Sequence, residues 1–301
     1  MGHIDEIAVD KLTIGGRLKR AQPETIVDWN YIDCPGPIVS NIAGAGGAHG
    51  VMADGEKFSM LFPGKNGQVI ASACMNIGVY TVAASGYIIE GAVPAVDTNT
   101  TVAGLNLQGD AASADDTGLE IVVGGTPFGG ASACTIGTHA MTFDVTFNSV
   151  DWTDYDACAI GFRKVEEFEV AHGDFLAAAS GDAVYTDFVA FGCQSPDDLQ
   201  IATRLNDGTT SYVDTTVATA ANHNHRFVVN VSKAGVVTFE HVGASPMESG
   251  TLIAPTVTSA FTFDSGDVVV PYMIVQGANA DSAIHLKSMK VTRSPGVQYQ
   301  D

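Results

Sequence analysis

Basic residues are what this chain most lacks. Fourteen lysines and arginines stand against 34 aspartates and glutamates, a formal net charge of −20 over 301 residues, and no lysine or arginine falls between Lys65 and Arg163. Such a surface repels a phosphate backbone, so nucleic acid is excluded as a partner. The same acidity favours solubility and suits a salty medium. Cysteines are few and scattered: Cys34, Cys74, Cys134, Cys158 and Cys193 form no CxxC pair, their number is odd, and their neighbours are small or apolar. Buried free thiols made in a reducing compartment are expected. The first residues, MGHIDEIAVDKL, contain no apolar core of a secretion signal.

Reactive motifs are missing too. There is no GxSxG elbow, no GxxxxGK[ST] phosphate loop, no strand–GxGxxG–helix unit and no HExxH. Carboxylates two apart occur as Asp154/Asp156 and Glu167/Glu169. They depart from the glycosidase pattern on one strand and read as solvated strand edges. FDSGD (263–267) offers oxygen ligands for Ca²⁺ but too few carboxylates for a full loop site, so it reads as a turn. No cofactor is expected.

Sustained helical periodicity is also absent; a short helix near 170–180 is the one candidate. The uncharged run Gln68–Ile89 is long enough to span a bilayer, yet its Asn76, serines, threonines and glycines favour buried strands. No membrane span is expected. What is plentiful is strand pattern. HAMTFDVTFNSV alternates Met141, Phe143, Val145 and Phe147 with Thr142, Asp144, Thr146 and Asn148. DACAIGFRKV and YTDFVAFGCQ read as central strands, and DLQIATRLNDG ends in a turn at 206–208. Gly, Asn, Asp or Pro separates nearly every strand.

Three regions follow. Residues 1–65 are irregular and carry a small basic cluster, Lys11, Arg17, Lys19 and Arg20, suited to an extended anchoring arm. Residues 66–104 form a small β segment or docking domain, and 105–301 a β-sandwich.

The stretch AANHNHRFVVNVSKAGVVTFEHVG (220–243) predicts a hairpin. A three-residue loop, Lys233–Ala234–Gly235, with Gly235 left-handed, sets Val231 opposite Val237, Val229 opposite Phe239 and Phe227 opposite His241. A register moved by one residue mixes apolar and polar faces. His223 and His225 share the parity of Phe227. They are a candidate metal-chelating pair, with His241 the nearest third ligand but set two residues further in. The alternative is that Asn222–His225 simply leads into the strand.

YDACAIGFRK, YTDFVAFGCQSPDDLQIATRLNDGTTSYVDTT, HRFVVNVSKAGVVTFEHVG and FTFDSGDVVVPYMIVQG together resemble the concanavalin-like (laminin-G-like) jelly-roll sandwiches of tailed-bacteriophage structural proteins. The resemblance covers roughly residues 105–292. It implies an all-β, two-sheet antiparallel jelly-roll and a non-catalytic role on a virion assembled from subunits made in the host cytoplasm. The expected partners are the major capsid protein or other virion subunits, docked through the N-terminal third, with homo-oligomers and trimers in particular. The role is then capsid decoration or cement. The alternative is a fibre- or adhesin-type module that binds host-surface glycans, with Trp152, Asp154 and Asp156 as its candidate contacts.

Overall fold

The computed structural model describes residues 12–14, 17–19, 23–30, 38–40, 58–63, 69–80, 95–97, 104–108, 117–123, 125–126, 129–130, 133–149, 155–166, 185–193, 199–215, 223–243, 261–277 and 283–294. Among them every regular element is a strand. Sixteen build the body: β1 (Glu24–Asn30), β2 (Ile38–Ser40), β3 (Phe58–Pro63), β4 (Val69–Tyr80), β5 (Ala95–Asp97), β6 (Gly104–Gln108), β7 (Thr117–Val123), β8 (Met141–Ser149), β9 (Tyr155–Lys164), β10 (Phe188–Cys193), β11 (Leu199–Arg204), β12 (Ser211–Asp214), β13 (His223–Val231), β14 (Val237–Gly243), β15 (Val268–Gly277) and β16 (Ala283–Arg293).

They form two antiparallel sheets. The larger runs β12-β11-β10-β9-β15-β7-β4-β3-β2, with Cys134–Thr135 pairing onto β15. The smaller runs β14-β13-β8-β16-β6-β5, with β1 pairing the far part of β16. The chain meanders through β9 to β12 in the large sheet. It then crosses to the β13–β14 hairpin, returns in β15 and crosses again in β16. Non-consecutive strands are thereby made neighbours, and the result is the expected two-sheet jelly-roll sandwich.

Alternation explains the packing. Phe143, Val145 and Phe147 of β8 are fully buried, and so are Ile160 and Phe162 of β9 and Phe191 of β10. These faces interlock: Phe143 meets Phe162 edge-on at 6.3 Å, and Phe191 lies 5.0 Å from Phe227 and 5.4 Å from Phe239. Rings at such distances and tilts add to the area they bury. One expectation fails locally. Thr146 and Asn148 fall on the polar face of β8, yet both are buried, and Asn148 donates to Asn224 Oδ1 at 3.3 Å. The outer face of the small sheet is therefore only partly open there: Arg226, opposite Thr146, keeps a side chain 40% exposed.

The hairpin has the register read from its parity. Val231 pairs Val237, Val229 pairs Phe239 and Phe227 pairs His241. Gly235 has φ +86°, its N–H donates to Ser232 O at 2.9 Å, and Ser232 N–H reaches Val236 O at 2.8 Å. The uncharged run forms strand over Val69–Tyr80, and among the described residues no helix is long and apolar enough to cross a membrane. The helix expected near 170–180 lies outside the described residues.

Candidate functional site

One end of the large sheet carries a dense set of polar side chains. Four segments meet there: the end of β9 with Lys164 and Glu166, Thr186–Asp187 entering β10, the turn 205–208 after β11, and the turn Phe263–Asp267 before β15. Asp187 is the hub. Its side chain is 1% exposed, accepts the Asn206 N–H at 2.6 Å, and binds Lys164 Nζ at 3.1 Å. The Thr186 hydroxyl, 2.9 Å from Asp187 Oδ2, is shared with Glu166. Burial opposes ionisation of Asp187, but the Asn206 N–H, Lys164 and Thr186 outweigh it and hold the carboxyl below its usual 3.8. The bond to Asp187, outweighing partial desolvation, raises the Lys164 ammonium, and Asp267 at 3.1 Å adds to this.

The floor of this end is Arg163. It is fully buried, its guanidinium lies 4.2 Å from the centroid of the Tyr185 ring, and its Nη1 donates at 3.0 Å to the carbonyls of Lys164 and Glu166. A cation stacked on an aromatic face and tied to two carbonyls fixes the β9–β10 corner.

Above the floor sits the 205–208 turn, placed where the sequence predicts one. Asn206 and Asp207 both have left-handed backbone, φ 53° and 54°, and Gly208 N–H donates to Leu205 O at 3.0 Å. Asn and Asp tolerate this region better than other non-glycine residues. The turn is held from both sides. Arg204 donates from Nε to Gly208 O at 2.7 Å and from Nη2 to Asp207 Oδ1 at 2.6 Å. Asn206 Nδ2 donates to Asp264 Oδ2 at 2.8 Å. Asp207, with a side chain 72% exposed, and Asp264, also exposed, thus stand at the surface beside a turn tied down by these bonds. The FDSGD carboxylates are engaged internally: Asp264 by Asn206, and Asp267 by Lys164 and the Asp264 N–H.

At the opposite end of the sandwich core, His225 and His241 form a second cluster. Both are almost fully buried, their rings are stacked at 14°, and His225 Nδ1 lies 3.0 Å from His241 Nε2. Burial, then the neighbouring His225, holds His241 down to about 3, so its imidazole is neutral.

The residues singled out from sequence are dispersed. Trp152 and Asp154 lie outside the described residues; Asp156 is in β9, at the irregularity where Tyr155 pairs Gly277 and Ala157 pairs Gln276. Arg17 and Lys19 belong to a two-stranded ladder, pairing Ile14 and Leu12, whereas Lys11 and Arg20 lie outside the described residues. His223 opens β13 opposite Ser149. Among the described residues no group of three or more His, Cys, Asp or Glu converges for a metal ion. The polar end brings hydrogen-bond donors and acceptors together on a fixed frame, a geometry able to meet a polar ligand.

No protein-family model matches the chain, and no curated protein matches it. Solved structures of similar fold are found. Lectin II from Ulex europaeus is 12% identical, with a TM-score of 0.44 over 80% of this chain and 100% of that one. Basic winged bean lectin, in a structure with Tn-antigen, is 12% identical, with 0.45 over 73% and 93%. The CBM2 module of the evolved Dit of Lactobacillus casei BL23 phage J-1 is 9% identical, with 0.36 over 67% and 80%. Likeness this distant assigns no ligand to this chain.

Proposed function

We propose that the protein is a non-catalytic binding subunit of adhesin type that recognises the hydroxyls of a surface glycan at the polar end of its large sheet. The observation that carries this reading is the locked 205–208 turn. Two successive non-glycine residues hold left-handed backbone, with Asp187 and Arg204 beneath them and the carboxylates of Asp207 and Asp264 turned outward. Fixed acceptors beside an amide suit paired donors such as vicinal hydroxyls, because little side-chain freedom is left to lose on binding. The test is a bacterial-polysaccharide glycan array, read with the unaltered protein, Asp207→Asn, Asp264→Asn and Trp152→Ala. Selective retention of a glycan, weakened at least about tenfold by Asp207→Asn or Asp264→Asn, is the expected result. No retained glycan, or retention that only Trp152→Ala reduces, overturns the assignment to this end.

A second reading, capsid decoration, is favoured by the buried free thiols of Cys134 and Cys158, which fit a subunit folded in host cytoplasm. Here the N-terminal third docks on the major capsid protein, in a homo-oligomer. Truncation should stop before Glu24, because β1 begins there and pairs along β16. Removal of residues 1–22, with Lys11, Arg17, Lys19 and Arg20, is expected to abolish particle association while the sandwich still folds. Retained decoration, or only a few dozen copies per particle, defeats this reading.

A further inference from the structure

The 205–208 turn contains a reactive dipeptide. Asp207 is followed by Gly208, and an aspartyl carboxyl can be attacked by the amide nitrogen of the residue after it. The nitrogen bonds to Cγ and a succinimide ring closes. One carboxyl oxygen leaves as water, taking the amide proton and a proton from the carboxyl or solvent. A water molecule then reopens the ring. Attack at Cγ restores aspartate, whereas attack at the main-chain carbonyl leaves the backbone running through the side chain as isoaspartate. Mass is unchanged, and no oxidant or reductant takes part. Glycine hinders the closure least, because it brings no Cβ to the attacking nitrogen.

The turn itself demands this glycine. A Cβ on residue 208 would stand 2.9 Å from the Leu205 carbonyl oxygen, a main-chain atom of the same turn. Asp207 in turn has a side chain 72% exposed, so water reaches the ring-opening step. The reactive pair is thus built into the surface, and what restrains it is a set of bonds. Gly208 N–H donates to Leu205 O at 3.0 Å, and Asp207 N–H to Thr186 O at 2.9 Å. Arg204, at the end of β11, holds Asp207 Oδ1 at 2.6 Å and approaches Asp207 O at 3.4 Å through Nη2, while its Nε donates to Gly208 O at 2.7 Å. The attacked carboxyl and the attacking amide are therefore tied to different partners. Closure needs the nitrogen within about 3–3.5 Å of Cγ and aligned with it, so both sets of bonds must open together.

We propose that Asp207–Gly208 is a modification site, an isoaspartate-forming step that the Arg204 guanidinium holds closed. A planar fork suits this task, since one side chain reaches the carboxylate and the carbonyl oxygens on either side of the reacting amide. The product lengthens the main chain by one carbon and shortens the arm of the free carboxylate, so the turn and its bond to Arg204 are lost together. The site stands on the chemistry of the turn, and its readout is separate from glycan retention.

The test incubates the full chain at pH 6 and 37 °C, folded in buffer and unfolded in guanidinium chloride. Isoaspartate is counted by isoaspartyl methyltransferase labelling and placed by electron-transfer fragmentation of the peptide that contains residue 207. Isomerisation at 207 should be at least about tenfold slower in the folded chain than in the unfolded one. Arg204→Gln, shown by circular dichroism to be folded, should isomerise at least about threefold faster than the unaltered folded protein. If that variant fails to fold, Arg204→Lys carries the test with the same threshold, because one ammonium cannot hold the carboxylate and both carbonyls as the fork does. Asp207→Glu, which would need a larger ring, should remove the signal. Equal folded and unfolded rates overturn the proposal. So does a smaller acceleration in the folded Arg204 variant, or labelling that persists undiminished in Asp207→Glu.

Discussion

Replacing Asp187 by alanine should cost the fold about 2–3 kcal/mol, and the estimate follows from which donors are stranded. Three groups point at this carboxylate: the Asn206 N–H, Lys164 Nζ and the Thr186 hydroxyl. Hydrogen bonds to a charged acceptor contribute about 1.5–3 kcal/mol each, but they do not add. Lys164 is more than a third exposed and keeps Asp267, so its loss is small. Thr186 keeps Glu166. The Asn206 N–H is then the stranded donor, in a turn whose left-handed backbone depends on it. Asp187→Asn retains an acceptor for that N–H and should cost only about 1 kcal/mol. Urea unfolding at pH 7, followed by circular dichroism, measures both. The pH dependence has a definite sign. The folded carboxyl titrates below its ordinary 3.8, so its stabilisation is present above that value and is lost as pH falls through the lower folded pKa. The gap between unaltered protein and Asp187→Asn should be the same at pH 7 and pH 5 and should narrow below 3.8. An Asp187→Ala cost under about 0.5 kcal/mol would refute the account, and so would a gap that persists undiminished into acid.

Other substitutions separate tight geometry from loose. A Cβ on Gly161 would stand 1.7 Å from the Val189 carbonyl oxygen; Gly161→Ala should therefore part β9 from β10 and lose about 3 kcal/mol or more in denaturant midpoint analysis. Gly235→Ala places a Cβ at positive φ, 2.4 Å from Phe263 O, and should cost more than about 1 kcal/mol by the same measurement. Asp144→Asn breaks the Arg226 pair, bonded at 2.8 and 2.5 Å. Because the Arg226 side chain is 40% exposed, the loss should stay under about 1 kcal/mol and shrink further in 1 M salt.

The hairpin and the β8 strand were legible in the sequence because one parity answers one question: which face is apolar. At 223–243 a register moved by one residue would have set Phe227 against Glu240, and the three-residue loop avoids that. The 205–208 turn was equally local, carried by Asn206, Asp207 and Gly208. The polar end itself was not legible. Asp187 looks like any carboxylate in an acidic chain, and what makes it a hub is Lys164, 23 residues away, together with an N–H 19 residues on. Lys164 also reaches Asp267, brought beside it only by the β9–β15 ladder, in which Lys164 pairs Val269. No periodicity records such a meeting.

The histidines show a subtler limit. Direct cross-strand pairing sets His241 opposite Phe227, which separates it from His225 by one step of the ladder. Read as a row, that separation argues against joint action. A twisted antiparallel pair also brings diagonal neighbours within reach of long or aromatic side chains. Across that diagonal the two rings stack with their nitrogens 3.0 Å apart. Register therefore locates a pair of rings only to within one step, and the twist of the sheet decides whether they meet.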